Sequence, residues 1–274
     1  MTQPVLTALT YNLKYASDHP PHAWPARRGL VAELLREQRA DVVATQEGLY
    51  GQLRDVAADT GYDWVGLGRD GGSAGEHCAI LYDRAVLDPE SFDHFWLSAT
   101  PAWVGSRTPW WGNRDVRIAT WVRFRVRATG GALVWLNTHL DNNSGVARRR
   151  GAMLIARRLR RFDRTVPLVV SGDFNCAPTD DPHRILIERA GLADAWDVSS
   201  APPPVTGTYG GWAAPAADGG RIDWVLVRGP LSVLDAGICD YHRADLGADG
   251  WPSDHVAVRV SLALPPGPVG ANGS

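Results

Sequence analysis

Segments patterned as strands alternate with amphipathic helices along this chain, but hairpin-like turns interrupt any strict strand–helix–strand order. That mixture fits an α/β protein of two packed mixed sheets with helices outside. The pattern predicts strands at Val5 to Leu13, Asp41 to Gln46, Cys78 to Tyr82, Ala85 to Phe95, Ala119 to Arg127 and Ala132 to Asn137. Val166 to Ser171 is a continuous apolar run, hence a buried strand, and Ile222 to Val227 and Val256 to Leu262 read as closing strands. Helices are expected at Trp24 to Gln38, with Leu30, Leu34 and Leu35 toward the core, at Leu49 to Thr60, and at Arg184 to Ala190. Another is expected at Asn143 to Phe162, with Val146, Ile155, Leu159 and Phe162 inward and arginines outward. A length of 274 residues accommodates one large domain, read as residues 1–264, followed by a Pro/Gly-rich tail, 265–274, expected to be disordered.

A formal net charge of -2 argues against a broad electrostatic footprint for long nucleic acids. Lys14 is the only lysine, a bias toward arginine that fits genome composition better than phosphate recognition. No apolar run approaches the ~20 residues of a membrane span, and no signal-like stretch opens the sequence, so a cytoplasmic protein without membrane contact is expected. Cys78, Cys176 and Cys239 are odd in number and widely spaced, which supports neither a disulfide framework nor a zinc site.

Chemistry-bearing residues gather at the ends of these apolar runs. Glu47 sits where a buried strand meets its loop, and Asp173 and Asn175 follow the apolar run at 166–171. Glu47, Asp173 and Asp254 are hard oxygen ligands of the kind Mg²⁺ or Mn²⁺ prefers, and Asn12 offers a neutral amide oxygen to the same cluster. Six segments carry the pattern: Thr10-Tyr11-Asn12-Leu13, Thr45-Gln46-Glu47-Gly48, Leu136-Asn137-Thr138-His139-Leu140, Ser171-Gly172-Asp173-Phe174-Asn175, Arg221-Ile222-Asp223-Trp224 and Trp251-Pro252-Ser253-Asp254-His255-Val256. In this order, over residues 5 to 262, they resemble the endonuclease/exonuclease/phosphatase superfamily, which includes deoxyribonuclease I, abasic-site endonucleases, deadenylases, inositol polyphosphate 5-phosphatases and bacterial sphingomyelinases.

The resemblance implies a four-layer α/β sandwich: two mixed, mainly antiparallel β-sheets flanked by helices. It implies Glu47 as principal metal ligand with Asn12 and Asp254 close to the ion, and Asp173 orienting or deprotonating the attacking water. Asn175 is implied as a phosphate or water contact, His255 as a phosphate contact whose ring Asp223 holds in one tautomer, and His139 as a second phosphate contact or acid. Phe95-Trp96-Leu97-Ser98-Ala99-Thr100-Pro101 and Arg117-Ile118-Ala119-Thr120-Trp121 resemble an uncharacterised bacterial subgroup. Three substrate contacts are expected. Glu76 is an accessory acid after the flexible 71–75 loop. Arg117 is read either as a fork onto phosphate or as half of a buried ion pair. Trp111, with Trp103 and Trp110, either stacks on a base or sugar or packs its loop against the domain. Asn142 stands where the subgroup often has a further histidine.

The reaction expected is metal-dependent hydrolysis of a phosphate ester on a small or short phosphorylated substrate, with nuclease action on DNA or RNA as the alternative. A non-catalytic binding module would be marked by substitution at Glu47, Asp173, Asn175 or His255, and all four are present. Hydrolysis of a non-phosphate bond with the same metal site is a third possibility. Oligomeric state is not readable from the sequence.

Overall fold

The computed structural model describes residues 3–266 except 202 and 205. In chain order the elements are β1 (Val5–Asn12), α1 (Trp24–Gln38), β2 (Val42–Gly48), α2 (Tyr50–Thr60), β3 (Asp63–Val65), β4 (His77–Tyr82), β5 (Leu87–Trp96), β6 (Ile118–Val126), β7 (Ala132–His139), α3 (Gly145–Leu159), β8 (Leu168–Asp173), α4 (Asp181–Ala190), β9 (Ala193–Asp194), α5 (Ala195–Val198), β10 (Asp223–Arg228), β11 (Ser232–Ile238) and β12 (Val258–Ala263). Short 3-10 segments lie at Pro109–Trp111 and Ala244–Gly250.

Two six-stranded sheets result, in the orders β11-β12-β1-β2-β4-β3 and β5-β6-β7-β8-β10-β9. Each has one parallel pair, β1 with β2 and β7 with β8, and its other pairs are antiparallel. The parallel pairs are joined through α1 and α3, as parallel strands need a crossover. Period-two burial supplies the layers. Leu6, Ala8, Val42 and Ile80 of the first sheet face Val122, Phe124, Trp135 and Val169 of the second. The opposite faces pack on helices: Leu9 and Val43 meet Leu34 and Leu35 of α1, while Leu136 and Val170 meet Ile155 and Leu159 of α3 and Leu186 of α4. The expected four-layer sandwich is the observed one.

The boundaries shift where caps rather than periodicity decide them. α3 starts at Gly145 because the Ser144 hydroxyl accepts from the Ala147 amide, whereas α2 ends at Thr60 as expected, capped by Gly61, whose φ of 83° closes the helix in the left-handed region. Val146, expected in the core, is 53% exposed, since it falls on the first turn ahead of the packed stripe at Ala147, Leu154 and Ile155. Of the tail at 265–274, residues 267–274 lie outside the described residues. No helix among the described residues is long and apolar enough to cross a membrane.

Candidate active site

Both parallel pairs end at the same edge of the sandwich. In the first sheet β1 ends on Asn12 and β2 on Glu47-Gly48; in the second, His139 at the end of β7 lies in register with Asp173 at the end of β8, and Asp223 at the start of β10 lies opposite Asp173. Asp254 and His255 enter from the loop before β12. An extra residue in β2 between Thr45 and Gly48 breaks its ladder with β4, and Glu47 adopts a φ of 60° there. Such a bulge re-aims a side chain, and here it accompanies a carboxylate that reaches Asn12. Lys14 (φ 54°) and Asn175 (φ 52°) adopt the same left-handed conformation beside the site. Non-glycine residues held this way cluster where function over-determines the backbone. Gly172 (φ 154°) is needed for a different reason: a Cβ there would collide with the Thr138 carbonyl, forcing β7 and β8 apart next to His139 and Asp173.

Asp173, buried, is the hub. Its Oδ2 accepts from the Asn12 amide at 3.0 Å and lies 3.5 Å from His139 Nε2 and 3.7 Å from His255 Nε2, while Oδ1 accepts from the Asn175 amide N–H at 2.9 Å. Burial and the neighbouring Asp223 charge raise its carboxyl above the usual range, against His255 and those hydrogen bonds. His255 Nδ1 sits 2.9 Å from Asp223 Oδ2. Burial alone would lower the imidazole, but Asp223, Asp173 and Asp254 outweigh it and raise it to about 10, so the ring is a cation at neutral pH. His139 goes the other way: burial, Arg117 and His255 push it well below its ordinary value. It meets Asn175 Nδ2 at 2.9 Å, beside Asp173.

Two further expectations change. Asn12 turns its nitrogen, not its oxygen, to the acids: Nδ2 donates to Glu47 and Asp173 at 3.0 Å each, while Oδ1 accepts the Lys14 backbone N–H. That backbone bond fixes the orientation, so Asn12 bridges two carboxylates here instead of offering them an oxygen. Asp254 lies 3.0 Å from the Lys14 ammonium, which is 3.9 Å from Glu47. It stands at the edge of the acidic group; among the described residues, the sets whose donor atoms all lie within 4.8 Å of one another are Glu47, His139, Asp173 and Asp173, Asp223, His255.

A hollow of about 440 Å³ opens above these groups, lined among others by Lys14, Glu47, Glu76, Arg117, His139, Asp173, Asn175 and His255. Burial raises the Glu76 carboxyl although Arg69 pairs with it at 2.8 Å. Arg117 donates to Asn142 at 3.1 Å and enters no ion pair among the described residues; its buried Nε has no partner. The ion-pair alternative therefore fails for Arg117; Arg221, two residues before Asp223, pairs with Asp194. Trp111 does not belong here. It lines a separate cavity, and Trp103 and Trp110 are exposed.

Several organising residues have no role assigned from the sequence, Gln46 and Asn137 lying within the quoted segments and Arg27 and Tyr209 outside them. Gln46 and Asn137, fully buried, join the two sheets below the site through a 2.7 Å amide–amide bond, and Asn137 donates onward to the Thr45 and Ala79 carbonyls. The buried Arg27 donates to the carbonyls of Leu13 and Pro252 at 2.8 Å and of Lys14 at 3.0 Å, tying the loop after β1 to the loop that brings His255. Tyr209 meets the His255 ring edge-on at 5.0 Å.

Residues 9–255 match the endonuclease/exonuclease/phosphatase family. The chain belongs to that family. As an endonuclease/exonuclease/phosphatase protein it is a metal-dependent hydrolase of the phosphoesterase and nuclease type. A comparison with curated proteins returns no match. Among solved structures, an endonuclease/exonuclease/phosphatase from Bacteroides vulgatus is 29% identical with a TM-score of 0.88, covering 96% of this chain and 100% of its own. A mannosyl-6-phosphatase from Bacteroides thetaiotaomicron is 28% identical with a TM-score of 0.85, covering 94% and 99%. The human Nocturnin catalytic domain, at 17% identity, a TM-score of 0.73 and 96% of both chains, shares the fold.

Proposed function

We propose that this protein is a Mg²⁺- or Mn²⁺-dependent phosphohydrolase that releases phosphate from a small phosphorylated substrate. The observation that carries the reading is the convergence of Glu47, Asp173 and Asp223 at one edge of the sandwich, beside His255, whose Nδ1 lies 2.9 Å from Asp223. The donor set fits a hard divalent ion: Glu47 and Asp173 converge with His139, and the buried Asp223 Oδ1 has no partner. Glu47, Asp173 and His139 would hold the ion, which when bound supplies positive charge to the phosphoryl oxygens and the leaving group.

The chain's own residues account for the rest. Asp173, beside the ion, orients the attacking water and takes its proton. His255 presents Nε2–H to a phosphoryl oxygen while Asp223 fixes the ring through Nδ1. Arg117, which lines the hollow, forks its guanidinium onto the same phosphate, and Asn175 positions water or phosphate beside His139. A hollow of about 440 Å³ is in the small-molecule range. The likeness to the Bacteroides mannosyl-6-phosphatase supports the same class.

Phosphate release and backbone cleavage measured with Mg²⁺, Mn²⁺ or EDTA over sugar phosphates, nucleotides, inositol phosphates, lipid phosphodiesters and nucleic acids test this. Metal-dependent turnover of a small phosphate ester, lost in Asp173→Ala, is expected. Cleavage confined to DNA or RNA would replace the reading with a nuclease, and inactivity across the panel would remove it.

A further inference from the structure

The cavity that holds Trp111 shares no lining residue with the catalytic hollow and has a different chemistry. It encloses about 570 Å³ between α3, the end of α4 and the loop before β6. Residues 143–162 contain seven arginines and no acid, in a chain of net charge -2. These arginines are not equivalent. Arg158 and Arg161 lie over the rings of Phe95 and Trp121, and Arg148 donates to the Asp141 carbonyl. Arg150, Arg157 and Arg160 face the cavity instead, joined by Arg189 from α4. Among the described residues, none of these four side chains makes an ion pair or a hydrogen bond.

Arg150, Met153, Leu154 and Arg157 follow one another at helical spacing, so two arginines whose backbone positions are about 10 Å apart along the axis flank an apolar patch. Trp111 and Pro101 close the opposite wall. No carboxylate or imidazole lines the space, so nothing there holds a catalytic cation or activates water. Guanidiniums match phosphate oxygens in pairs, and a tryptophan face with a thioether beside it suits a flat ring. We propose that this cavity is a second, non-hydrolytic binding site for a small multiply phosphorylated ligand carrying an aromatic ring, a nucleoside polyphosphate. Its volume is in the range of small-molecule sites.

Titration calorimetry with ATP in EDTA, which withholds the hydrolytic metal, tests the site independently of the proposed reaction. Saturable one-to-one binding is expected, weakened at least tenfold by Arg157→Ala combined with Arg189→Ala and unaltered by His255→Ala. Both arginines are exposed and outside the core, and an unchanged melting temperature would verify the fold. Trp111→Ala is expected to weaken ATP while leaving pyrophosphate unaffected, separating the ring contact from the phosphate contact. Undiminished ATP binding in the double arginine variant, or its loss in His255→Ala, would overturn the proposal by placing the nucleotide elsewhere. So would the absence of ATP binding alongside arginine-dependent binding of a single-stranded oligonucleotide, which would make the cavity part of a nucleic-acid track.

Discussion

Asp194 and Asp173 are both buried at strand ends of the same sheet, and both have a histidine close by, yet they behave oppositely. Asp194 accepts from His183 at 2.9 Å, from Arg221 at 2.8 Å and from the Trp196 amide at 3.0 Å. Burial would raise its carboxyl, but those partners overcome it and hold the group below the usual range. Asp173 has hydrogen bonds too, yet burial and a second nearby carboxylate leave it raised. The first cluster closes on itself, with cation and anion matched. In the second, Glu47, Asp173, Asp223 and Asp254 outnumber Lys14 and His255, and one oxygen of Asp223 is orphaned. Buried charge that is balanced belongs to the scaffold; buried charge in surplus marks the place where something is to be bound.

The largest effects should separate these clusters by activity. Asp173→Ala and His255→Ala are each expected to lower kcat/KM by ~10²-fold or more, whereas Asp194→Ala leaves turnover per folded molecule within a few-fold. An equal loss in Asp194→Ala would dissolve the distinction. Stability should sort them the other way: Asp194→Asn is expected to cost about 3 kcal/mol in urea unfolding, because Arg221 is left buried without its anion. A depressed carboxyl contributes stability above its unfolded value that is lost as pH falls through the lower folded value. The gap between wild type and Asp194→Asn should therefore be constant at neutral pH and close below about pH 4; a gap independent of pH would show that the carboxylate's charge is irrelevant.

Glu47→Gln should weaken Mn²⁺ binding by at least ~10-fold in calorimetry, with unchanged affinity removing Glu47 from the donor set. The smallest effect has the most telling sign. A raised carboxyl costs stability at pH above its folded value and costs nothing below its unfolded one, so Asp173→Asn in EDTA should stabilise the protein at pH 8, by about 1 kcal/mol. Destabilisation there would mean that Asp173 is as well matched as Asp194.

Elements with dense apolar patterns were legible in the sequence. α1 runs from Trp24 to Gln38 as its Leu30, Leu34 and Leu35 stripe implies, and β8 carries Asp173 at its end. β11 carries too little pattern: of Ser232–Ile238 only Val233 and Ala236 are buried, and β9 is two residues long. At the site, residues that follow buried strands could be located because the strand itself fixes where they emerge. Trp111 could not, since the path of the loop at 98–116 has no period. Arg27 was equally hidden, because its acceptors are backbone carbonyls contributed by distant segments, which side-chain identity does not report.

The pairing of β1 with β12 brings together segments more than two hundred positions apart, in register from Val5↔Ala263 to Thr10↔Val258. Protein synthesis is vectorial, so Asn12 and Glu47 emerge from the ribosome long before His255 and the strand that anchors it. A nascent chain can collapse its first βαβ unit but does not bring His255 beside Asn12 until β12 has been made and has paired with β1. Premature termination anywhere upstream leaves a chain that lacks His255 and its anchoring strand altogether.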